Sequence, residues 1–242
     1  MDRWDFYKKN FLKKINKNSN FLLISASEKE VKILQDLGYS NFSISYHDEQ
    51  EELTHKENGF ELNKNLFKTD IRNMEFKSKS FEYVITNATI HHVDLPHKAV
   101  AEMYRVANKG VLIIESNDSL IMRMACKLKI TSEFEVDSVD KEKKTGGLLD
   151  TGIPNYVYRW TEREVLKLLK SYDPSNINHV EFNYDNDLTN IKPKKNLIIN
   201  IILEIIKISS KVFFYIFKKQ QNCLSIFIDK TKTKKRWSEY SS

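Results

Sequence analysis

Short apolar runs alternate with amphipathic segments along this chain, and the alternation restricts the folds that it can adopt. Phe21–Ile24 is uninterrupted apolar sequence, which is typical of a strand buried on both faces of a sheet. A segment with helical spacing follows and ends near Gly38, and the next strand-like run is Phe42–Ser45. A strand, a helix and a second strand within about thirty residues indicate a parallel crossover unit.

The alternation continues through the rest of the chain. The spacing predicts a helix over residues 3–16 and another over Pro96–Val106, and Thr161 with Glu164 three residues later predicts the start of a third. These elements favour an α/β fold with a mostly parallel sheet. The remaining predicted strands are Leu66–Asp70, residues 81–86, Val111–Ile114, residues 178–184 and Cys223–Ile228.

Composition narrows the class of protein. The 242 residues are 40% hydrophobic and 30% charged, which excludes a disordered chain and a multispan membrane protein. The net charge of +6 is mild, and no basic stretch interleaved with aromatic residues predicts dedicated nucleic-acid binding. The two cysteines, Cys126 and Cys223, lack the short spacing of a zinc or disulfide scaffold. Since no secretory signal is visible, we expect a cytoplasmic protein.

The order of the elements predicts four regions. Residues 1–20 hold an N-terminal helix, and residues 21–117 hold the first half of the main domain. Residues 118–230 supply cap elements and the last strands of the same domain. Residues 231–242 form a basic tail. Residues 51–65 are polar and are predicted to be loosely structured, and the oligomeric state is not predicted.

The apolar stretch Leu197–Phe217 is predicted to form an amphipathic helix. Its polar residues Asn200, Glu204, Lys207 and Lys211 fall on one narrow stripe of a helical wheel. Three charges at the depth of a bilayer centre would be unfavourable, so a membrane span is disfavoured. We expect the helix to pack on the protein's own core or over its substrate pocket, with a lipid interface or a partner chain as the alternative.

Polar side chains follow the first four predicted strands at the point where each strand ends. Residues 25–27 follow the first strand, Asp48 the second, Asp70 the third and Asn87 the fourth. In open α/β sheets, ligands bind outside these carboxyl ends. Asp48 could accept both hydrogen bonds of a ribose diol and Asp70 one from an adenine amino group, although either carboxylate could instead cap a loop or helix.

Two adjacent histidines, His91 and His92, follow the fourth strand. They are candidates for a catalytic base or a substrate contact, and a purely structural role is the alternative. Asp94 and His97 lie close in the sequence, but their positions before and at the start of a helix indicate a turn and cap, so no metal site is predicted. Aromatic residues around Arg159 could line the substrate or form the hydrophobic start of the following helix, and both interpretations stay open: Tyr156, Tyr158 and Trp160.

Residues Thr69–Ser116 resemble the core of class I S-adenosylmethionine-dependent methyltransferases of the ubiquinone/menaquinone type, the methyltransferase type 11 subgroup. The resemblance is specific over about 50 residues and weaker over residues 20–50. The pieces that carry it are Asp70, Phe76, Ser80–Val84, Ile90–His92, Glu102–Val106 and Gly110.

The resemblance implies a fold and an activity. The fold would be a Rossmann-like three-layer sandwich whose seven-stranded, mostly parallel sheet ends in an antiparallel strand seven, here Cys223–Ile228. The activity would be transfer of a methyl group from S-adenosylmethionine to a small-molecule, sugar or lipid-linked acceptor. The alternative is a non-catalytic methyltransferase-like partner or scaffold protein with weakened cofactor binding.

The resemblance also makes residues 21–117 the cofactor-binding half of the methyltransferase domain and residues 118–230 its substrate side, and it assigns the cofactor contacts. Asp48 would bind the ribose hydroxyls, Asp70 and Ile71 the adenine edge, and Asn87 with Ala88 the methionine side. His91 and His92 would lie near the transferred methyl group.

One loop departs from the family pattern. The family's first strand runs into a glycine-rich loop, whereas this chain has Ser25, Ala26 and Ser27 there, followed by Glu28. These are the next smallest residues, so close approach of the backbone to the cofactor is still expected. Glu28 is a candidate contact for the cofactor's amino group.

Overall fold

A computed structural model of the chain describes residues 2–47, 49–136, 139–140, 145–148, 151–187 and 212–232. The predicted site residue Asp48 and the basic tail from residue 233 onward lie outside the described residues. Most of the predicted helix 197–217 does so too, because only residues 212–217 of it are described. Within the described residues, no helix combines the length and hydrophobicity needed to cross a membrane.

One seven-stranded sheet organises the molecule, in the order β3-β2-β1-β4-β5-β9-β8. Neighbours from β3 to β5 pair in parallel, whereas β9 runs antiparallel to both β5 and β8. The predicted fold class, including an antiparallel last strand, is therefore confirmed. The strands are β1 Phe21–Ile24, β2 Phe42–Tyr46, β3 Leu66–Lys68, β4 Phe81–Asn87, β5 Ala107–Ser116, β8 Val180–Asp185 and β9 Cys223–Asp229, with a separate hairpin of β6 Val139–Asp140 and β7 Thr145–Gly146.

Helices cover the sheet, and side chains cap most of their N-termini. Ser27 and Thr161 each accept a hydrogen bond from the backbone N–H three residues later, as the predicted cap at Thr161 requires. The side chain of Glu164 does not complete a capping box but contacts His97 and Tyr158. The helices are α1 Arg3–Lys14, α2 Glu28–Asp36, α3 Glu49–Glu57, α4 Pro96–Val106, α5 Leu120–Lys127 and α6 Glu162–Tyr172.

The prediction of loose structure over residues 51–65 is wrong for its first part, where α3 lies. This helix is made largely of Glu, Gln and Lys, which favour helices through intrinsic propensity and leave no apolar period to detect.

Two hydrophobic cores lie on the two faces of the sheet. On one face, Tyr7 and Phe11 of α1 and Leu34 of α2 pack against Leu23 and Ile44 of the strands. On the other, α4 and α6 pack through residues such as Met103 and Leu169 against Leu22, Val84 and Ile113. Alternate residues of β1 serve opposite cores, because successive side chains of a strand point to opposite faces. The result is the predicted three-layer sandwich.

Candidate functional site

A cavity of about 490 Å³ opens at the edge of the sheet where β1 to β4 end. This volume lies within the range of small-molecule sites. Each of these strands contributes a residue at or just beyond its carboxyl end: Ser25, His47, Thr69 and Asn87. The first turn of α1 covers the cavity through Arg3 and Trp4, and the β6–β7 hairpin contributes Gly146 and Gly147.

Most of the predicted site residues described by the structure lie on this cavity wall. Ala26 does not, because its side chain is buried in the core beneath α1 and α2. His91 is buried and Asp48 is not described. The predicted residues that line the cavity are Ser25, Ser27, Asp70, Ile71, Asn87, Ala88 and His92.

Three of the cavity residues that the sequence did not indicate come from the two helices nearest the cavity; the others are His47, Thr69, Thr89, Val93, Gly146 and Gly147. Arg3 and Trp4 begin α1, whose apolar spacing predicted a packed helix but not which end meets the site. Glu30, rather than the predicted Glu28, reaches the cavity, because Glu28 is exposed at the start of α2 and Glu30 points inward. A charged residue inside the apolar stripe of an amphipathic helix was the available signal.

The backbone adopts a left-handed conformation at two predicted cofactor-binding residues. The φ angle is +43° at Ser25 and +55° at Ala88, and both residues line the cavity. Side chains with a Cβ rarely adopt this conformation, and glycine adopts it readily. Ser25 therefore has the backbone geometry that a glycine would favour, although the loop contains no glycine.

We expect Ser25→Gly to raise the free energy of unfolding by about 0.5–1 kcal/mol. Relief of the left-handed strain, about 1–2 kcal/mol, exceeds the extra freedom that glycine gives the unfolded chain. Urea denaturation measures the change. The matched control is Ser27→Gly, where φ is −69° and the hydroxyl caps α2, so that variant should lose a few tenths of a kcal/mol. Equal losses in both variants would contradict strain at Ser25.

A buried carboxyl group, Glu30, lies at one end of the cavity. Burial raises its pKa to about 7, against the opposing effects of Tyr7, Arg3 and Asn87. Glu30 is thus poised between its neutral and ionised forms near neutral pH. A positively charged group entering the cavity would favour the ionised form.

Asp70 is held by an arginine two residues later. The guanidinium of Arg72 donates from Nε to Oδ1 at 2.9 Å and from Nη2 to Oδ2 at 2.6 Å, and its Nη1 donates to Asp94 at 2.6 Å. Hydrogen bonding by Arg72 lowers the pKa of Asp70 to about 2. Asp70 is therefore an oriented anion whose remaining lone pairs can still accept hydrogen bonds.

The loop after β4 is anchored by Glu115, a buried carboxylate near the end of β5. Its Oε1 accepts from the backbone N–H groups of Thr89 and Ile90 at 2.9 Å each. Its Oε2 lies 2.8 Å from Nδ1 of His91. One side chain thus fixes both the backbone of the loop and the ring of the first predicted histidine.

The two histidines differ in charge. Burial opposes a charge on His91, yet Glu115 and Glu135 together raise its pKa to about 9, so its ring is cationic at neutral pH. Burial and the neighbouring His91 lower the pKa of His92. Of the two rings, only His92 is neutral and on the cavity wall, so only His92 suits a general base.

Three polar atoms of cavity-lining residues are buried and have no hydrogen-bond partner among the described residues. They are Nε of Arg3, Oγ1 of Thr69 and Oδ1 of Asn87. A donor and two oxygen acceptors left in this state are unfavourable unless a polar ligand or water pairs with them. The cavity therefore fits a ligand with several hydrogen-bonding groups.

The aromatic residues before α6 divide between the two roles considered for them. Trp160 is fully buried in the core and Tyr158 packs on it with ring centroids 5.1 Å apart. These two residues form the hydrophobic start of the helix. Tyr156 is half exposed and contacts Phe134, and a role for it beside a substrate stays a prediction.

The part of the chain that surrounds the cavity is similar to a known protein domain. Residues 25–114 match the model of a methyltransferase domain. The matched segment begins at the left-handed Ser25, directly after β1, and ends inside β5, so it contains the carboxyl ends of β2 to β4. S-adenosylmethionine is the cofactor of this domain and of the structures that resemble the chain.

Solved structures support the methyltransferase fold. A SAM-dependent methyltransferase structure from Methanosarcina mazei has a TM-score of 0.55 at 14% identity, covering 95% of this chain and 99% of that one. One from Archaeoglobus fulgidus has a TM-score of 0.52 at 13% identity, covering 95% and 100%. Phosphoethanolamine N-methyltransferase 2 of Haemonchus contortus, in complex with S-adenosyl-L-methionine, has a TM-score of 0.50 at 14% identity, covering 93% of this chain and 52% of that one. Among curated proteins, no sequence matches.

Proposed function

We propose that this chain is a methyltransferase that transfers a methyl group from S-adenosylmethionine to a small-molecule, sugar or lipid-linked acceptor. The observation that carries the proposal is the pair of opposite charges, Arg3 and Glu30, on the cavity wall beside the Ser25–Ser27 loop. An arginine and a carboxylate together suit the carboxylate and ammonium of the cofactor's amino-acid end. The finer resemblance to the ubiquinone/menaquinone subgroup is part of the same proposal.

The unpaired polar atoms support the placement of this cofactor. Nε of Arg3 could donate to the carboxylate, and Oδ1 of Asn87 could accept from the ammonium. Asp70 and Ile71 also line the cavity and are the predicted contacts of the adenine edge. Asp48 as the ribose ligand stays a prediction, since it lies outside the described residues.

The glycine-free loop is compatible with cofactor binding because Ser25 already has the backbone conformation of a glycine. A serine Cβ occupies space that the family's glycine leaves open, so binding would be weaker unless other contacts compensate. Arg3, supplied by the N-terminal helix, is such a contact. We infer that α1 compensates for the missing glycines.

The chemistry requires few protein groups. S-adenosylmethionine, when bound, would supply a sulfonium methyl group for the acceptor's nucleophile and would leave as the thioether S-adenosylhomocysteine. The protein's part is to position the two reactants and to exclude water. An acceptor hydroxyl or ammonium must also lose a proton, and the neutral His92 on the cavity wall is the predicted base.

Residues beyond the cofactor-binding half would determine which acceptor is bound. The β6–β7 hairpin and the segment around Tyr156 would form the acceptor side of the cavity, with helix 197–217 as a further contributor. A partly apolar or membrane-linked acceptor, and a cytoplasmic protein with peripheral membrane contact through residues 197–217, stay predictions.

Calorimetric titration with S-adenosylmethionine and S-adenosylhomocysteine tests the proposal. We expect both to bind, and we expect Asp48→Ala to weaken binding by about 1–3 kcal/mol through lost hydrogen bonds to a charged group. Asp36→Ala, at an exposed position of α2, is the control and should bind as the unmodified protein does. Absence of binding at millimolar ligand would favour the non-catalytic partner or scaffold protein. Unchanged affinity in Asp48→Ala would show that the ribose site is elsewhere.

A further inference from the structure

Two histidines and a glutamate converge beside the cavity. His91 and His92 lie in the turn after β4, and Glu135 comes from the cap region more than forty residues later in the chain. Each residue offers one nitrogen or oxygen ligand atom, and these atoms lie within 4.8 Å of one another. The fold thus supplies the third ligand that the sequence around the histidines lacks.

The separations suit a tetrahedral ion. Nε2 of His91 lies 3.3 Å from Oε1 of Glu135, and Nε2 of His92 lies 3.6 Å from Oε2 of the same carboxylate. Two ligands that are each about 2.1 Å from a tetrahedral zinc ion stand about 3.4 Å apart. The two distances run to different oxygens of the carboxylate, and the three ligand atoms lie within 4.8 Å of one another, so the side chains would draw together around a shared ion.

The ring of His91 is oriented as a metal ligand is. Its Nδ1 is held by buried Glu115 at 2.8 Å, an arrangement in which a carboxylate fixes the tautomer and direction of a ligating histidine. The residue is 5% exposed, and its buried Nε2 has no hydrogen-bond partner among the described residues. Nε2 faces Oε1 of Glu135 at 3.3 Å, as an ion pair while the ring is protonated, and a bound metal ion would take the place of that proton.

Glu135 is held in place as well. Nδ2 of the buried Asn155 donates to its Oε2 at 3.1 Å, and the backbone N–H of Glu135 donates to the Asn155 carbonyl at 3.0 Å. Two of the three ligands therefore have a second partner that limits their motion. Such outer partners are a regular feature of protein metal sites.

We propose that His91, His92 and Glu135 bind one divalent transition-metal ion, with zinc as the first choice. Two imidazoles and one carboxylate are a known ligand set for zinc sites that keep a fourth position open. Because His92 also lines the cavity, that fourth position would be next to the cavity and could hold water or an acceptor oxygen. With an ion bound, Nε2 of His92 is a ligand and cannot serve as the base.

Metal binding can be tested without cofactor or acceptor, so its outcome is independent of the proposed methyl transfer. The full chain, without a polyhistidine tag, is stripped of metal with a chelator. Zinc is then titrated in competition with a chromophoric chelator, and cobalt is followed by its visible absorption. We expect one ion per chain and a cobalt spectrum of a four- or five-coordinate site.

Variants identify the ligands. Glu135→Gln and His92→Gln change partly exposed side chains, so folding should survive, and each should weaken zinc binding at least as much as the roughly 10–100-fold expected for Glu115→Gln. The control is His97→Gln, because His97 is also paired with a glutamate, at 2.9 Å, but has no second histidine beside it. That variant should bind zinc as the unmodified protein does.

Three results would overturn the proposal. They are no stoichiometric binding in the micromolar range, unchanged affinity in the folded Glu135→Gln variant, or equal loss in His97→Gln. Circular dichroism of each variant confirms that it is folded before its affinity is compared.

Discussion

Replacing Glu115 by alanine is expected to lower the free energy of unfolding by about 3–5 kcal/mol. The side chain is 1% exposed and accepts from two backbone N–H groups as well as contacting His91. Alanine would leave both N–H groups and Nδ1 of the buried His91 ring without their partner, and each loss carries a desolvation penalty. Urea denaturation in the presence of a chelator measures the change without any contribution from bound metal.

Two further variants test whether the lost hydrogen bonds cause the lower stability of Glu115→Ala. Glu115→Gln keeps an oxygen that can accept from Thr89 and Ile90, so its loss should be less than half of that of the alanine variant. Glu61→Ala removes a carboxylate whose side chain is 64% exposed, and its stability should stay within about 0.5 kcal/mol. If Glu115→Ala were as mild as Glu61→Ala, the anchoring role of this carboxylate would be refuted.

Glu30→Gln is expected to stabilise the free protein above pH 7 while weakening its binding of S-adenosylmethionine. Burial raises the pKa of Glu30 from 4.5 to about 7, so the folded state favours the neutral carboxyl group. The stability that this preference contributes, roughly 3 kcal/mol, is fully present below pH 4.5 and is lost as the pH rises through 7. Because glutamine stays neutral, the free energy of unfolding of the variant should not show this fall with pH.

The affinity for the cofactor should change in the opposite sense. Because the ammonium of S-adenosylmethionine favours ionised Glu30, binding to the unmodified protein should strengthen as the pH rises through 7, whereas binding to Glu30→Gln should not. Urea denaturation and calorimetric titration over this pH range measure both effects. Glu28→Gln, on the exposed side of the same helix, is the control and should change neither. If the stability of Glu30→Gln depended on pH in the same way as that of the unmodified protein, Glu30 could not be the source of this dependence.

The sheet was predictable because its strands are short apolar runs bounded by polar residues. A short run that is apolar at every position is typical of a strand buried on both faces. The sheet contains strands at three of the predicted runs, Phe21–Ile24, Val111–Ile114 and Cys223–Ile228. The helix α3 was not predicted because its sequence has propensity without an apolar period. An apolar period is the sign of a helix that packs against a hydrophobic core, and α3 contributes little to either core.

The site was predictable only where it depends on strand ends. Topology brings Ser25, Asp70 and Asn87 to one edge, and the sequence order of the strands suffices to expect it. Arg3, Glu30 and Glu135 reach the site from other segments, through the packing angle of a helix or the path of a loop. The packing angle of a helix and the path of a loop are not encoded in the spacing of residues near the strands. These three side chains could therefore be assigned only from the structure.

The left-handed residues Ser25 and Ala88 have a consequence for how proteins related to this one can be detected. A motif that demands glycine after the first strand would reject this chain, although Ser25 has the left-handed conformation that glycine favours. What the conformation excludes is a β-branched or bulky side chain, for which a positive φ is a far greater strain. A search pattern that accepts any small residue at these two positions, combined with a buried acid like Glu30 on the following helix, would recover such chains.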